Sequence, residues 1–275
     1  MKVQESLLAK ILIQQKIRDK MEINPSGLEK YGRKVYSQTD EDGIIEEIMR
    51  RLAIDPDTIT FVEIGVGSET ENNTAKLLGE GSKGIWIEGS TKKFGVCRKL
   101  TENYIRTKRL KLIQAMVDEN NAIQLGGVIK DFLHTEEPTI FSIDIDGPDH
   151  IVMDTILKRT SIKPKVIVAE YNGRLNPTSI MVDDYTHIKR KDIKNHMLYG
   201  SGASLGLWTK LLSDYQLVAC GILGINAFFV RKQELNGKFE TTTTEILFNH
   251  FDPMPWMAGG YKQMHGYPSE YSLYG

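Results

Sequence analysis

Between residues 60 and 171, five short apolar runs are separated by stretches with helical spacing, and nothing else in the chain constrains its fold as strongly. Such alternation is the pattern of βαβ units, in which each strand lies beside the last and a helix carries the chain back across the sheet. The runs predict strands over 60–65, 84–88, 110–115, 139–144 and 165–171. Helices are expected over 73–78, 92–104, 122–133 and 150–159, and another over 205–215. Runs at 216–220 and 226–231 lie too close together for a helical crossover, so they predict an antiparallel hairpin at the end of the sheet. The expectation is an α/β fold with a mostly parallel seven-stranded sheet, a terminal antiparallel hairpin and helices on both faces.

Before the sheet, Val3, Leu7, Ile11, Ile17 and Met21 recur at roughly helical spacing and predict a helix over 2–21. It would pack on the domain, or else cap a site or form a contact between two copies of the chain. A second helix is expected over 40–52, with Ile44, Ile45, Ile48 and Leu52 inward and Asp55-Pro56-Asp57 at its end. The layout is therefore a helical cap segment over 1–57, an α/β core over 58–235 and an irregular extension over 236–275.

Thirty-five basic against 36 acidic side chains give a net charge of −1, which offers no global attraction to nucleic acid or an anionic membrane. No apolar run approaches the roughly 20 residues of a membrane span. The two cysteines, Cys97 and Cys220, are too few for a disulfide scaffold, and a reducing cytoplasm is the expected compartment.

Chemistry is expected where strands run out into loops. The first strand ends Glu63-Ile64-Gly65-Val66-Gly67, and glycines there let a ligand approach the backbone. About twenty residues on, Ile85-Trp86-Ile87-Glu88 closes the second strand with a carboxylate, the spacing at which an acid grips ribose hydroxyls. A tight turn with a surface glutamate is the simpler alternative. Thr70 stands where a dinucleotide fingerprint would carry a third glycine. Glu63, two residues before Gly65, repels a pyrophosphate but suits a cation such as S-adenosylmethionine. S-adenosylmethionine is favoured over NAD.

Residues 61–231 resemble the class I S-adenosylmethionine-dependent methyltransferases, whose Rossmann-like fold ends in such an antiparallel hairpin. Phe61-Val62-Glu63-Ile64-Gly65-Val66-Gly67 is similar to their first motif, with Ser68 departing from it, and Ile85-Trp86-Ile87-Glu88 to their ribose-binding acid. Tyr36-Ser37-Gln38, Glu41-Asp42-Gly43, Glu71-Asn72-Asn73-Thr74 and Ser142-Ile143-Asp144-Ile145-Asp146-Gly147 resemble the FkbM-type members. The resemblance implies that Glu63, Gly65, Gly67 and Glu88 hold the cofactor, with Asp118 on the adenine side and Gln38 closing over it.

Asp144, Asp146, Glu170 and Asn172 stand at the ends of the fourth and fifth strands and form a hard oxygen set suited to Mg2+ or Mn2+. Asp144 and Asp146 would share a face if the strand continued through them. The arrangement is similar to that of metal-dependent catechol and sugar O-methyltransferases. Alternatively Asp144 meets the cofactor, while Asp146 and Asp149 cap the next helix. His150 is a candidate base, with Asp144 beside it, or simply a first-turn helix residue; His187 and His196 are weaker candidates. In the polar stretch 172–202, Lys189, Arg190, Lys191 and Lys194 form either a solvated face or a binding site for an anionic acceptor, such as a nucleotide-linked sugar. The stretch is expected to be loosely held until the acceptor binds.

Together these features point to methyl transfer onto a hydroxyl of a small polar acceptor: a sugar, nucleotide-sugar or glycan precursor. A NAD-dependent oxidoreductase or epimerase is the alternative enzyme. The alternative without catalysis is a silent cofactor-fold partner that assembles, or forms homo-oligomers, through its N-terminal helix.

Overall fold

The computed structural model describes residues 2–67, 72–183 and 202–254. A seven-stranded sheet is built from β1 (Thr60–Ile64), β2 (Lys83–Glu88), β3 (Leu110–Gln114), β4 (Ile140–Ile143), β5 (Val166–Glu170), β8 (Tyr215–Cys220) and β9 (Asn226–Arg231). Between β5 and β8, the two-residue strands β6 (Val182–Asp183) and β7 (Gly202–Ala203) pair with each other in a separate ribbon. The main order is β3-β2-β1-β4-β5-β9-β8. Every neighbouring pair is parallel except β5–β9 and β9–β8, so β9 alone runs against the rest.

Nine helices accompany these strands among the described residues: α1 (Lys2–Ile23), α2 (Glu41–Leu52), α3 (Ala75–Glu80), α4 (Thr91–Leu100), α5 (Glu102–Arg106), α6 (Ala122–Leu133), α7 (Asp149–Arg159), α8 (Leu205–Leu211) and α9 (Thr244–Leu247). Strand alternation sorts the core into two layers. Val62, Ile64, Ile85, Ile87, Phe141, Ile143 and Ile167 face α6, α7 and α8. Phe61, Trp86, Ile140, Val166, Val168 and Phe228 face the other way, toward Ile44 and Ile48 of α2 and Leu77 and Leu78 of α3.

Continuing that second face to the strand ends brings a polar set to one edge. Glu63 follows Phe61, Glu88 follows Trp86, Ser142 follows Ile140, Glu170 follows Val168, and Asn226 precedes Phe228. Register brings them together: Glu63 pairs with Ser142 across β1 and β4, and Glu170 with Asn226 across β5 and β9. A doubly covered sheet leaves its polar side chains to such edges, where water or a ligand satisfies them.

Several boundaries differ from expectation for local reasons. The helix predicted over 92–104 breaks at Thr101, whose hydroxyl donates to the Cys97 carbonyl (2.7 Å) and ends α4 before α5 begins. The helix expected over 205–215 stops at Leu211, because Tyr215 opens β8 and its hydroxyl donates to the Pro164 carbonyl at 2.9 Å. α1 turns a different stripe inward than expected. Ala9 and Ile13 are buried, with Ile13 against Ile222, Leu223 and Ile225 of the β8–β9 turn, whereas Ile11 is 52% exposed. Lys20 of α1 is buried too, donating to the Phe248 carbonyl at 2.8 Å with Glu29 at 3.9 Å. No helix among the described residues is long and apolar enough to cross a membrane.

Candidate functional site

β1 runs out into Gly65 and Gly67, which have φ of 92° and 66°. A Cβ on Gly65 would lie 1.6 Å from the Asp144 carbonyl oxygen, so only glycine lets the exits of β1 and β4 pass. At Gly67 the situation is reversed: a Cβ would meet nothing within 4 Å among the described residues. The Gly67 N–H donates to Glu88 Oε2 at 2.7 Å, and the Ser90 N–H donates to Oε1, also at 2.7 Å. Glu88 is thus fixed beside the glycine loop. Each of its oxygens accepts one hydrogen bond among the described residues and keeps capacity for another.

Glu63 has its oxygens occupied by its own chain. Oε1 accepts from the Asn73 N–H (2.9 Å), and Oε2 from the Thr74 N–H (3.0 Å) and the Thr74 hydroxyl. That hydroxyl accepts in turn from Trp86 Nε1 at 2.8 Å. Burial pushes the Glu63 carboxyl up to about 7, against the pull of these donors. Its placement is that of a clamp on the start of α3. This is why the helix predicted from 73 begins only at Ala75: Asn73 and Thr74 are held by Glu63.

β4 ends at Ile143, one residue short of the expected strand, and Asp146 takes a left-handed φ of 57°. Asp144 and Asp146 therefore do not share a face of a continuing strand. The loop brings them together all the same, because buried Asp149 accepts from the Ile145 N–H (2.7 Å) and the Gly147 N–H (3.0 Å) and winds the backbone around itself. One oxygen each from Asp144, Asp146 and Glu170 lies within 4.8 Å of the others. Burial and the Asp146 and Asp149 charges push Asp144 up to about 7. Burial and the Asp144 charge raise Glu170 well above the carboxylate range, and the two side chains hydrogen-bond each other. Two carboxylates in that position share a proton at neutral pH. The Asn172 amide oxygen, expected in the same set, accepts from the Arg174 N–H at 3.1 Å.

Over this edge runs a strap, residues 33–40. Asp42 Oδ2 gathers the N–H groups of Val35, Tyr36 and Ser37, each at 2.7 Å, and the Ser37 hydroxyl at 2.8 Å. Asp40 accepts from the Ile222 N–H at 2.8 Å, and Glu41 from Asn226 Nδ2 at 2.9 Å. The resemblance marked Glu41 and Asp42, but Asn226 escaped notice; its signal was an amide opening the apolar run Ala227-Phe228-Phe229-Val230. Gln38 lies in the strap, half-buried, and its carbonyl accepts from Lys34 Nζ at 3.1 Å.

Two candidates stand apart from this cluster. His150 is half-buried in the first turn of α7 with no partner for Nδ1 among the described residues; burial lowers its proton affinity, and the charge that opposes this is Asp154, one turn on. Asp118 is exposed after β3, and its Oδ1 accepts the Asn120 (2.8 Å) and Asn121 (3.0 Å) N–H groups that lead into α6. Closer to Glu88 is Met116, 75% exposed, whose sulfur would sit 2.2 Å from a Cβ on Gly89. Ser68, Thr70, Glu71, His187, His196 and the basic group Lys189, Arg190, Lys191 and Lys194 lie outside the described residues.

The parallel sheet closes with one reversed strand, β9, between β5 and β8, and its polar groups collect at the carboxyl edge. The chain has the class I methyltransferase fold. No protein-family model matches it, and no curated protein does either. Solved structures do. A Klebsiella pneumoniae protein designated an O-methyltransferase aligns over 84% of this chain and 99% of its own, at 15% identity and TM-score 0.46. The Bacillus cereus O-methyltransferase in complex with SAH aligns over 79% and 91%, at 14% identity and TM-score 0.41. The pyocyanin biosynthetic protein PhzM aligns over 67% of this chain at 14% identity and TM-score 0.39; the match spans 53% of that longer chain.

Proposed function

We propose that the chain transfers the methyl group of S-adenosylmethionine to a hydroxyl of a small polar acceptor: a sugar, nucleotide-sugar or glycan precursor. The observation that carries this reading is Glu88, held by the Gly67 N–H beside an open glycine loop with acceptor capacity left on both oxygens. A ribose diol needs such an acid. The side of Gly67 where a Cβ would stand is clear of the other described residues, while its carbonyl is held by the Cys97 thiol (3.0 Å). Met116, exposed on the same side of Glu88, offers apolar surface to the base. Glu63 shapes the loop, and in this reading Gln38 of the strap closes over the cofactor.

The electrophilic methyl comes with the cofactor, so the protein's task is alignment and proton removal. Asp144 is the proton acceptor this reading favours, since its affinity lies near neutrality and it stands with Glu170 at the edge that Gly65 abuts. With a divalent cation, Mg2+ or Mn2+, held by Asp144, Asp146 and Glu170, Asp144 would be a ligand instead, and the cation would orient acceptor oxygens and lower the hydroxyl's hold on its proton. Lys189, Arg190, Lys191 and Lys194 supply charge for an anionic part of the acceptor.

Calorimetry on Glu88→Ala tests the assignment. Losing hydrogen bonds to a charged group costs about 1.5–3 kcal/mol, so S-adenosylhomocysteine should bind roughly ten- to a hundredfold more weakly to a folded variant. Unchanged affinity would remove Glu88 from the cofactor site.

A further inference from the structure

We infer that Thr39, Asp40 and Glu41 together hold one proton and form a pH-sensitive latch that keeps the strap on the carboxyl edge of the sheet. The argument is a count of hydrogens. The Thr39 hydroxyl lies 2.9 Å from Asp40 Oδ1 and 2.8 Å from Glu41 Oε1, both at hydrogen-bond distance. A hydroxyl has one hydrogen, and an ionised carboxylate has none. A proton on Asp40 or Glu41 lets both contacts be full hydrogen bonds instead of one hydrogen divided between two acceptors. Asp40 and Glu41 are fully buried, so water cannot supply the missing donor.

Among the described residues the two carboxyls are met by backbone, amide and hydroxyl groups. Asp40 receives the Ile222 N–H from the β8–β9 turn, where Gly221 packs against Oδ1, and Gly32 packs against its other side. From the exit of β5 it faces the Tyr171 hydroxyl, which donates to the Asn249 carbonyl at 2.6 Å. Glu41 receives the Thr39 N–H (2.7 Å) and Asn226 Nδ2 (2.9 Å). Neither carboxyl forms an ion pair among the described residues. Burial and the Glu41 charge push Asp40 up to about 7, in agreement with the count.

The consequence follows from linkage. Latched, the cluster keeps its proton up to about pH 7; released into water, an aspartate would lose it near pH 3.9. Opening thus becomes easier by up to tenfold per pH unit between those values, and levels off above the upper one. What the latch carries is functional: Asn226 pairs with Glu170, and the strap bears Gln38. The inference does not depend on which cofactor the site takes.

Hydrogen exchange tests it in the full chain. Opening constants for the amides of Thr39 and Ile222, which Glu41 and Asp40 hold, corrected for intrinsic chemistry and referred to β1 amides, would be followed from about pH 5 to about pH 8. The Val35, Tyr36 and Ser37 amides are left out because buried Asp42, whose own proton affinity is raised, holds them. The wild type should open about tenfold more readily per unit up to about pH 7 and then level off. Asp40→Asn and Glu41→Gln each supply a neutral amide, so opening in either variant should vary less than about threefold across the range. A flat wild-type profile would overturn the latch, as would variants that keep the wild-type slope. If Asp40→Asn does not fold, Glu41→Gln decides the same question.

Discussion

Gly65 and Gly67 stand two residues apart with similar backbone angles, yet an added methyl group should do opposite things to them. Gly65→Ala places a Cβ 1.6 Å from the Asp144 carbonyl oxygen and 2.6 Å from its carbon. Neither atom can swing aside as a side-chain tip would, so β1 and β4 must separate at the edge that carries Asp144. Backbone collision combined with a left-handed φ belongs to the small class of changes costing above about 4 kcal/mol, a large part of an ordinary domain's stability. Gly67→Ala meets nothing within 4 Å among the described residues and should cost only the left-handed penalty, about 1–2 kcal/mol. For a chain of this size that is a loss of a few degrees in Tm. Its effect should fall on the ligand instead. A methyl group in the space above Gly67 obstructs whatever lies against that backbone, and a 1.4 kcal/mol loss already weakens binding tenfold. Thermal melts and calorimetry with S-adenosylhomocysteine, run on both variants, separate the two effects. A Gly67→Ala protein that melts near the wild type and binds with unchanged affinity would refute the placement of the cofactor on this loop.

If Asp144, Asp146 and Glu170 share a cation, chelation should abolish turnover and Mg2+ or Mn2+ should restore it; Asp146→Asn should weaken metal binding while leaving S-adenosylhomocysteine affinity intact, and full activity in excess chelator would refute the metal role. Glu63 binds its proton more tightly folded than unfolded, so its contribution to stability is complete below about pH 4.5 and is lost as pH rises through about 7. Glu63→Gln should flatten that part of the stability profile in urea melts, by up to about 3 kcal/mol; an unchanged profile would assign the dependence elsewhere. Neutralising Lys189, Arg190, Lys191 and Lys194 together should weaken acceptor binding, and its salt dependence, far more than cofactor binding. Normal acceptor kinetics at physiological salt would leave the four as a solvated face.

The sheet was readable in the chain because its strands are buried on both faces and stand out as apolar runs between turn residues; β9 (Asn226–Arg231) has the predicted bounds and the other six main strands lie within a residue of theirs. What could not be read depends on contacts between residues distant in sequence. The inner stripe of α1 is chosen by Ile222, Leu223 and Ile225, some two hundred residues away. The break at Thr101 comes from a threonine hydroxyl that bonds back into its own helix, and no apolar periodicity reports it. At the site, strand-end carboxylates were legible by position, but their partners were not. Glu63 looked free to meet a cation, and folding hands its oxygens to Asn73 and Thr74. Asp146 would have shared a face with Asp144 only had the strand run on; Asp149 winds the loop instead, and Asp146 still reaches Glu170.

The central claim is that the edge formed by Gly65, Gly67 and Glu88 receives S-adenosylmethionine. Calorimetric titration of the wild-type protein with S-adenosylhomocysteine and with NAD, each with and without Mg2+, tests it most directly. Saturable one-to-one binding of S-adenosylhomocysteine, lost in Gly67→Ala and Glu88→Ala, with no heat from NAD, is the result expected. Binding of NAD alone, or of neither compound by folded protein, would contradict the account.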